Sequence, residues 1–217
     1  MKTVFTIILT LFFWLNVFAT AQESDQLIYN GKMYSLSSNP LESYFEKYPD
    51  KRPRPEVMTS SLWRGYVATF EIRDSMLYVK DISVQYLDNS DKKNRDVKWK
   101  SVLKEVFPKQ KEIKVDWLTG LLVLPYGELV NYVHMGYGST YENYILLEFN
   151  SGRLKNEKHF KYDEYERFKE RQFQKFKQTD KYKKIKADLQ KDGGSDEFID
   201  SFLRSFATEY TSNILTE

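Results

Sequence analysis

The sequence predicts an α+β protein: a twisted, mostly antiparallel sheet of about six to eight strands, with short inserted helices and about three C-terminal helices over one face or end. Three observations carry that expectation. Between Leu27 and Phe160, short apolar runs recur with a period of two, most regularly where Ile113, Val115 and Trp117 alternate with Glu112, Lys114 and Asp116. The later runs are joined by turns too short for the crossover that parallel neighbours require, so they must pair antiparallel. Beyond Phe160 the period lengthens. Tyr162, Tyr165, Phe168, Phe173 and Phe176 fall on one side of a helical wheel, Tyr182, Ile185 and Leu189 on a second, and Phe198, Ile199, Phe202, Leu203, Phe206 and Tyr210 on a third.

The elements follow in order. Lys2 opens an otherwise uncharged run from Thr3 to Gln22 that ends in Ala19-Thr20-Ala21. A basic start, an apolar middle and small residues at the cut are what a secretory signal requires, so the mature chain is expected to begin at Gln22. An uncleaved membrane anchor is the rival reading, opposed by Asn16, Thr20 and the small-residue site. The chain from Gln22 to Glu217 is then expected to be a single domain, with a sheet-rich core over residues 22–160 and a helical extension over 161–217.

Leu27 to Tyr34 reads as a hairpin, because Asn30-Gly31 supplies the positive φ angles of a two-residue turn. Pro40 to Tyr48 reads as a short helix capped by Asn39, and Asp50 to Pro55 as an extended connector. Leu62 to Arg73 and Met76 to Leu87 are expected strands around an Asp74-Ser75 turn. In the second, the apolar phase changes between Val79 and Ile82, which calls for a bulge near Lys80-Asp81. Asn89 to Asp96 is a polar loop and Trp99 to Phe107 an amphipathic helix with Val102, Leu103 and Val106 inward. Leu121 to Leu124 is a short apolar run, Leu129 to Met135 and Tyr141 to Phe149 are strands, and Asn150-Ser151-Gly152 turns the chain into Leu154 to Phe160. Thr179-Asp180 and Gly193-Gly194-Ser195 separate the helices.

Composition excludes several functions. The chain has 33 basic and 31 acidic residues, and removal of Lys2 with the signal leaves a balance near neutrality that predicts no nucleic-acid binding. With no cysteine, disulfides, a thiol nucleophile, a thiolate metal site and a lipoprotein anchor are all excluded. The mature protein is therefore expected to be soluble, without a transmembrane segment, and periplasmic or extracellular. No cofactor is expected.

Candidate sites are few. His134 and His159 are the two histidines, and neither sits in a metal-ligand spacing, so no metal site is expected. His134 lies in NYVHMGYGSTYE, where Gly136 and Gly138 permit sharp bends and Tyr137, Ser139 and Tyr141 are close by. It is the one candidate general base, beside Ser139, yet neither a nucleophile elbow nor an acidic partner accompanies it. Catalytic residues stay unassigned. The second cluster is Trp63, Arg64, Gly65 and Tyr66 with Glu71. On a regular strand Arg64 and Tyr66 would face away from Trp63 and Glu71, unless Gly65 kinks the chain. Arg167 to Lys191 carries ten basic residues against Glu170, Asp180 and Asp188. That stretch is read as a solvated outer face, with peripheral lipid contact as the minor alternative.

The blocks LWRGYVATFEI (Leu62 to Ile72), LYVKDI (Leu77 to Ile82) and GELVNYVHMGYGSTYENYILLEFNSGRL (Gly127 to Leu154) resemble a group of bacterial secreted proteins common in Bacteroidetes-like genomes. That group shares a WRGY-ATxEI...LYL block and a histidine-glycine-tyrosine block. The likeness spans Leu27 to Phe160 and leaves out the helical tail. No activity is established for the group, so the resemblance implies no catalytic residues. The expected function is a non-enzymatic binding or interaction module for an envelope protein or glycan, using Trp63, Arg64, Tyr66, His134, Tyr137 and Tyr141 as an aromatic contact surface. The alternative is a hydrolase acting on glycans or peptides.

Overall fold

A computed structural model describes residues 21–88, 96–134 and 136–214. The expected signal segment, apart from Ala21, and most of the polar loop before Asp96 lie outside the described residues. The strands are β1 (Gln26–Tyr29), β2 (Lys32–Ser35), β3 (Val67–Arg73), β4 (Met76–Asp88), β5 (Asp96–Ser101), β6 (Ile113–Lys114), β7 (Gly120–Asn131), β8 (Thr140–Asn150) and β9 (Arg153–Lys161). The helices are α1 (Glu42–Lys47), α2 (Leu103–Val106), α3 (Tyr162–Phe176), α4 (Asp180–Lys191), α5 (Asp196–Ser205) and the single turn α6 (Ala207–Tyr210). This is the expected α+β class, with one strand more than the expected range: the sheet has nine strands in the order β2-β1-β3-β4-β9-β8-β7, with β5 and β6 both added on β4.

Local chemistry explains the hairpins. Asn30 and Gly31, at φ 50° and 73°, turn β1 into β2, while Asp74 and Ser75, at 49° and 60°, turn β3 into β4. The expected bulge is present: Thr69 pairs with Asp81 and Phe70 with Val79, so Lys80 is the extra residue. All the pairs are antiparallel except β1 with β3. That parallel pair is possible because the connection between β2 and β3 is long and holds α1.

The sheet curls until its two ends meet, and the Ser37 amide after β2 donates to the Val123 carbonyl of β7 at 3.1 Å. The main core lies inside the curl, with Leu27, Phe70, Ile82, Leu122, Ile145 and Phe149 among its residues. On the outer face Leu121, Val123, Tyr144 and Leu146 pack against Tyr165 and Phe168 of α3. Leu121 to Leu124 thus alternate between two cores, which is why they read as an unbroken apolar run. A third cluster joins the helices through Phe173, Phe176, Tyr182, Ile199 and Leu203. Thr179 and Ser195 cap α4 and α5 by accepting from the amides of Tyr182 and Phe198.

Several elements differ from expectation. The helix expected from Pro40 starts at Glu42, and Asn39 provides no side-chain cap because its Oδ1 accepts from the Tyr137 hydroxyl at 2.7 Å. Pro49–Lys51 forms a 3-10 turn ahead of the extended connector. Residues 60–62 are another 3-10 turn, and β3 begins only at Val67. The helix expected over Trp99 to Phe107 shrinks to α2, since Asp96–Ser101 continues the sheet as an exposed ribbon on β4. An exposed strand has no buried face, so its residues carry no period to read. The separate runs 121–124 and 129–135 are one strand, β7, as far as Asn131; its register slips between Tyr126 and Asn131, and Met135 lies outside the described residues.

Candidate ligand-binding cleft

Two polar constellations meet at Tyr137, and their chemistry differs. The first is internal. After the 3-10 turn at 60–62, Gly65 takes φ +83° with its α-carbon against Pro55, and a Cβ there would stand 2.9 Å from Pro55 Cγ. That kink turns the Arg64 side chain wholly out of solvent. Arg64 Nη2 donates to the Glu23 carbonyl at 2.6 Å and to Asp25 Oδ1 at 3.0 Å, and Nη1 donates to the Tyr137 hydroxyl at 3.2 Å. Asp25 Oδ1 also accepts from the Ala68 amide at 2.8 Å. Burial pushes the Asp25 carboxyl up to about 6, against the opposing pull of Arg64 and the Ala68 amide.

Tyr66 extends this network. Its hydroxyl donates to Glu42 Oε1 at 2.7 Å, and Arg52 holds both oxygens of Glu42 at 3.0 and 2.8 Å. Burial pushes Glu42 up, but Arg52 and Tyr66 outweigh it and hold the carboxyl below its ordinary range. The Tyr66 hydroxyl is driven strongly upward by burial and then by Asp25 and Glu42. Arg64 and Tyr66 therefore tie the amino-terminal segment, α1 and the 136–139 loop together from inside.

The other sequence candidates lie elsewhere. Trp63 is 58% exposed, outside the buried network of its neighbour Arg64. His134 is exposed and packs edge-on to Tyr132 at 4.6 Å between ring centres. Ser139 is engaged by Val133, accepting from its amide at 3.1 Å and donating to its carbonyl at 3.3 Å. Tyr141 is half-buried at the start of β8, where its amide donates to the Tyr144 hydroxyl at 2.9 Å. His159 sits on β9, 2.7 Å from Glu157. The six sequence candidates thus do not converge on one surface. Among the described residues, no group of three His, Asp or Glu side chains is arranged to hold a metal ion.

Half of the ten basic residues of Arg167 to Lys191 pair with acids. Lys169 pairs with Glu166, Lys177 and Lys186 reach Asp200, Lys183 meets Asp180 and Lys191 meets Asp188. The helices face solvent with interleaved charge. No helix among the described residues is long and apolar enough to cross a membrane.

The second constellation is open. Between the outer face of β7, the 136–140 segment and the helices run two adjoining cavities of about 460 and 350 Å³, which share Ser37, Ser38, Leu121, Tyr137 and Glu209. The larger reaches Glu46 of α1 and Lys181 of α4. The smaller is aromatic: Tyr137, Tyr162 and Phe206 line it with Tyr144 and Tyr165, which stack at 4.2 Å. Three residues of the lining carry a group without partners among the described residues. The Ser38 and Thr140 hydroxyl oxygens bond nothing and are closed off from solvent. The Glu209 carboxyl meets neither cation nor donor, and burial alone pushes it up to about 7. Glu209 is exposed as a residue, so water reaches it from the open side and moderates that cost.

Of the six contact candidates Tyr137 lines this cleft, with its hydroxyl pushed up to about 12 chiefly by burial, and Ser139 beside it lines the smaller cavity. Sequence reasoning missed Ser38, Thr140 and Glu209. A single Glu between Thr208 and Tyr210 carries no local signal, because its surroundings come from residues 37–46, 121–140 and 162–169. No family model matches this chain, and neither a curated protein nor a solved structure does.

Proposed function

We propose that this protein is an exported, non-enzymatic binding module whose ligand sits in the cleft between β7 and α6. The observation that carries the reading is the cleft itself: a concave site with an aromatic wall and the Glu209 carboxyl, which no partner among the described residues answers. Concave, aromatic-lined sites with a few polar groups are the usual form of a ligand pocket, and an unanswered carboxyl there favours a ligand that completes it. Export rests on the Met1 to Ala21 pattern, which supports a periplasmic or extracellular address for the mature protein. The group of secreted bacterial proteins that the sequence blocks resemble fits the same address.

The test is thermal unfolding of the chain from Gln22 to Glu217 against glycans, peptidoglycan fragments, peptides, divalent metals and lipid headgroups. A ligand at a hundred times its dissociation constant adds about 2.7 kcal/mol to the folded state, which raises the midpoint. A raised midpoint that Tyr137→Phe or Glu209→Gln diminishes supports the cleft. No shift from any compound overturns the small-ligand reading and points to a protein partner.

Hydrolysis of glycans or peptides is the second reading, and one observation favours it. A carboxyl near 7 can both hold and release a proton at neutral pH, as a general acid must. Its neighbour Glu166 is neutralised by Lys169 at 2.7 Å, which leaves Glu209 without a second free carboxylate beside it on α3. Product release from a glycan or peptide, lost in Glu209→Gln, would establish hydrolysis over binding alone.

A further inference from the structure

The charge inside the cleft narrows what it can hold. Glu42, Glu46, Glu166 and Glu209 line the two cavities against Lys169 and Lys181. Both lysines are already engaged, Lys169 by Glu166 at 2.7 Å and Lys181 by the Tyr210 carbonyl at 2.6 Å. Glu42 is answered by Arg52. Glu209 is the carboxylate at the junction of the two cavities, and no cation among the described residues approaches it.

The groups facing Glu209 are known from each side. Tyr137 comes from the 136–140 segment, Tyr165 from α3 and Tyr210 from its own helical turn; each is close enough for the Glu209 charge to push its hydroxyl up. Glu166 and Lys169 lie along the wall of the smaller cavity, and Lys181, Glu42 and Glu46 along that of the larger. Aromatic faces and an uncompensated carboxylate are what an organic cation selects, since the ring quadrupoles and the charge act together. One cation already uses this chemistry, for Lys169 Nζ lies 5.2 Å from the Tyr165 ring centre. An anion would meet the same rings and carboxylate unfavourably.

We infer that the cleft takes a small organic ammonium compound, with its ammonium group on Glu209 and its apolar body against the Tyr144–Tyr165 stack. This rests on the binding-module reading and names its ligand class. The ion pair needs Glu209 ionised, so affinity grows as pH rises through about 7.

The experiment is a calorimetric titration of the chain from Gln22 to Glu217 with alkyl and aryl primary amines up to phenethylamine, each beside the alcohol of the same skeleton. The expected result is an amine that binds about tenfold more tightly than its alcohol at pH 8, with the gap closing at pH 5.5 and lost in Glu209→Gln. A circular dichroism melt shows that the variant is folded. Alcohols binding as tightly as the amines, or an amine preference that survives Glu209→Gln, overturn the ammonium assignment and leave the binding module standing. Silence from the whole series overturns the assignment too, and the broader ligand panel then decides the module separately.

Discussion

Asp25 and Glu209 are both carboxyls pushed upward by burial, yet one belongs to a closed network and the other to an open one. Around Asp25 the protein supplies an arginine, a backbone amide and a tyrosine-linked frame. Around Glu209 it supplies rings and a cavity, with no counter-charge among the described residues. The raised pKa is the same in direction and so does not tell the two apart. What separates them is whether the charge is answered from within the chain. An answered charge holds segments together, whereas an unanswered one is available to something else.

The comparison breaks most visibly at Arg64. Arg64→Ala strips the buried Asp25 of its counter-ion and frees the Glu23 carbonyl, so chemical denaturation should show a loss of about 3–5 kcal/mol. Tyr66→Phe removes the hydroxyl bonded to the Glu42 carboxylate, and the same measurement should give a loss of about 1.5–3 kcal/mol. Tyr137→Phe touches both constellations. It removes bonds to Asn39 and Arg64 and should cost about 1 kcal/mol, while perturbing the cleft enough to alter any ligand response.

Glu209→Gln is the smallest expected effect and the one of opposite sign. A carboxyl raised in the folded state is protonated there while the unfolded chain has already lost the proton. Its contribution is full below about 4.5 and is lost as pH rises through about 7. The Gln variant is exempt from that loss, so it should equal the wild type near pH 4 and exceed it at pH 8 by less than about 1 kcal/mol, after discounting for solvent. Asp25 imposes the same falling slope between about 4 and 6. The two windows overlap, so melting curves at half-unit pH intervals should show one fall that continues to about pH 7 in the wild type and ends near 6 in Glu209→Gln.

Elements whose signal is local were legible in the sequence. The Asn30-Gly31 and Asp74-Ser75 turns, the Lys80 bulge and the three longer C-terminal helices all follow from neighbours within a few residues. The Trp63–Tyr66 segment is half legible: Gly65 marks the place for a kink, but the side chains it turns inward depend on Asp25 and Glu42, more than twenty positions away. The end of ribbon β5, from Trp99 to Ser101, reads as the start of a helix because an exposed strand shows no alternation. The cleft was nearly invisible. It is assembled where the curl of the sheet brings residues 37–40 beside 121–140 and the last helical turn descends on both, a coincidence that no window along the chain contains.

The meeting of the two ends of the sheet has a consequence for how the chain comes to be folded. Gln22 is held by the Gly136 carbonyl, Ser37 by Val123 and Asn39 by Tyr137, the last pair 98 positions apart. Contacts at such separation form late, because a long loop must close before any of them contributes. During synthesis the front of the chain can form its hairpin and meet β3 early, but the closing of the sheet waits until roughly a hundred further residues have emerged. Through that interval the sheet has two unjoined edges, and its core is open on one side.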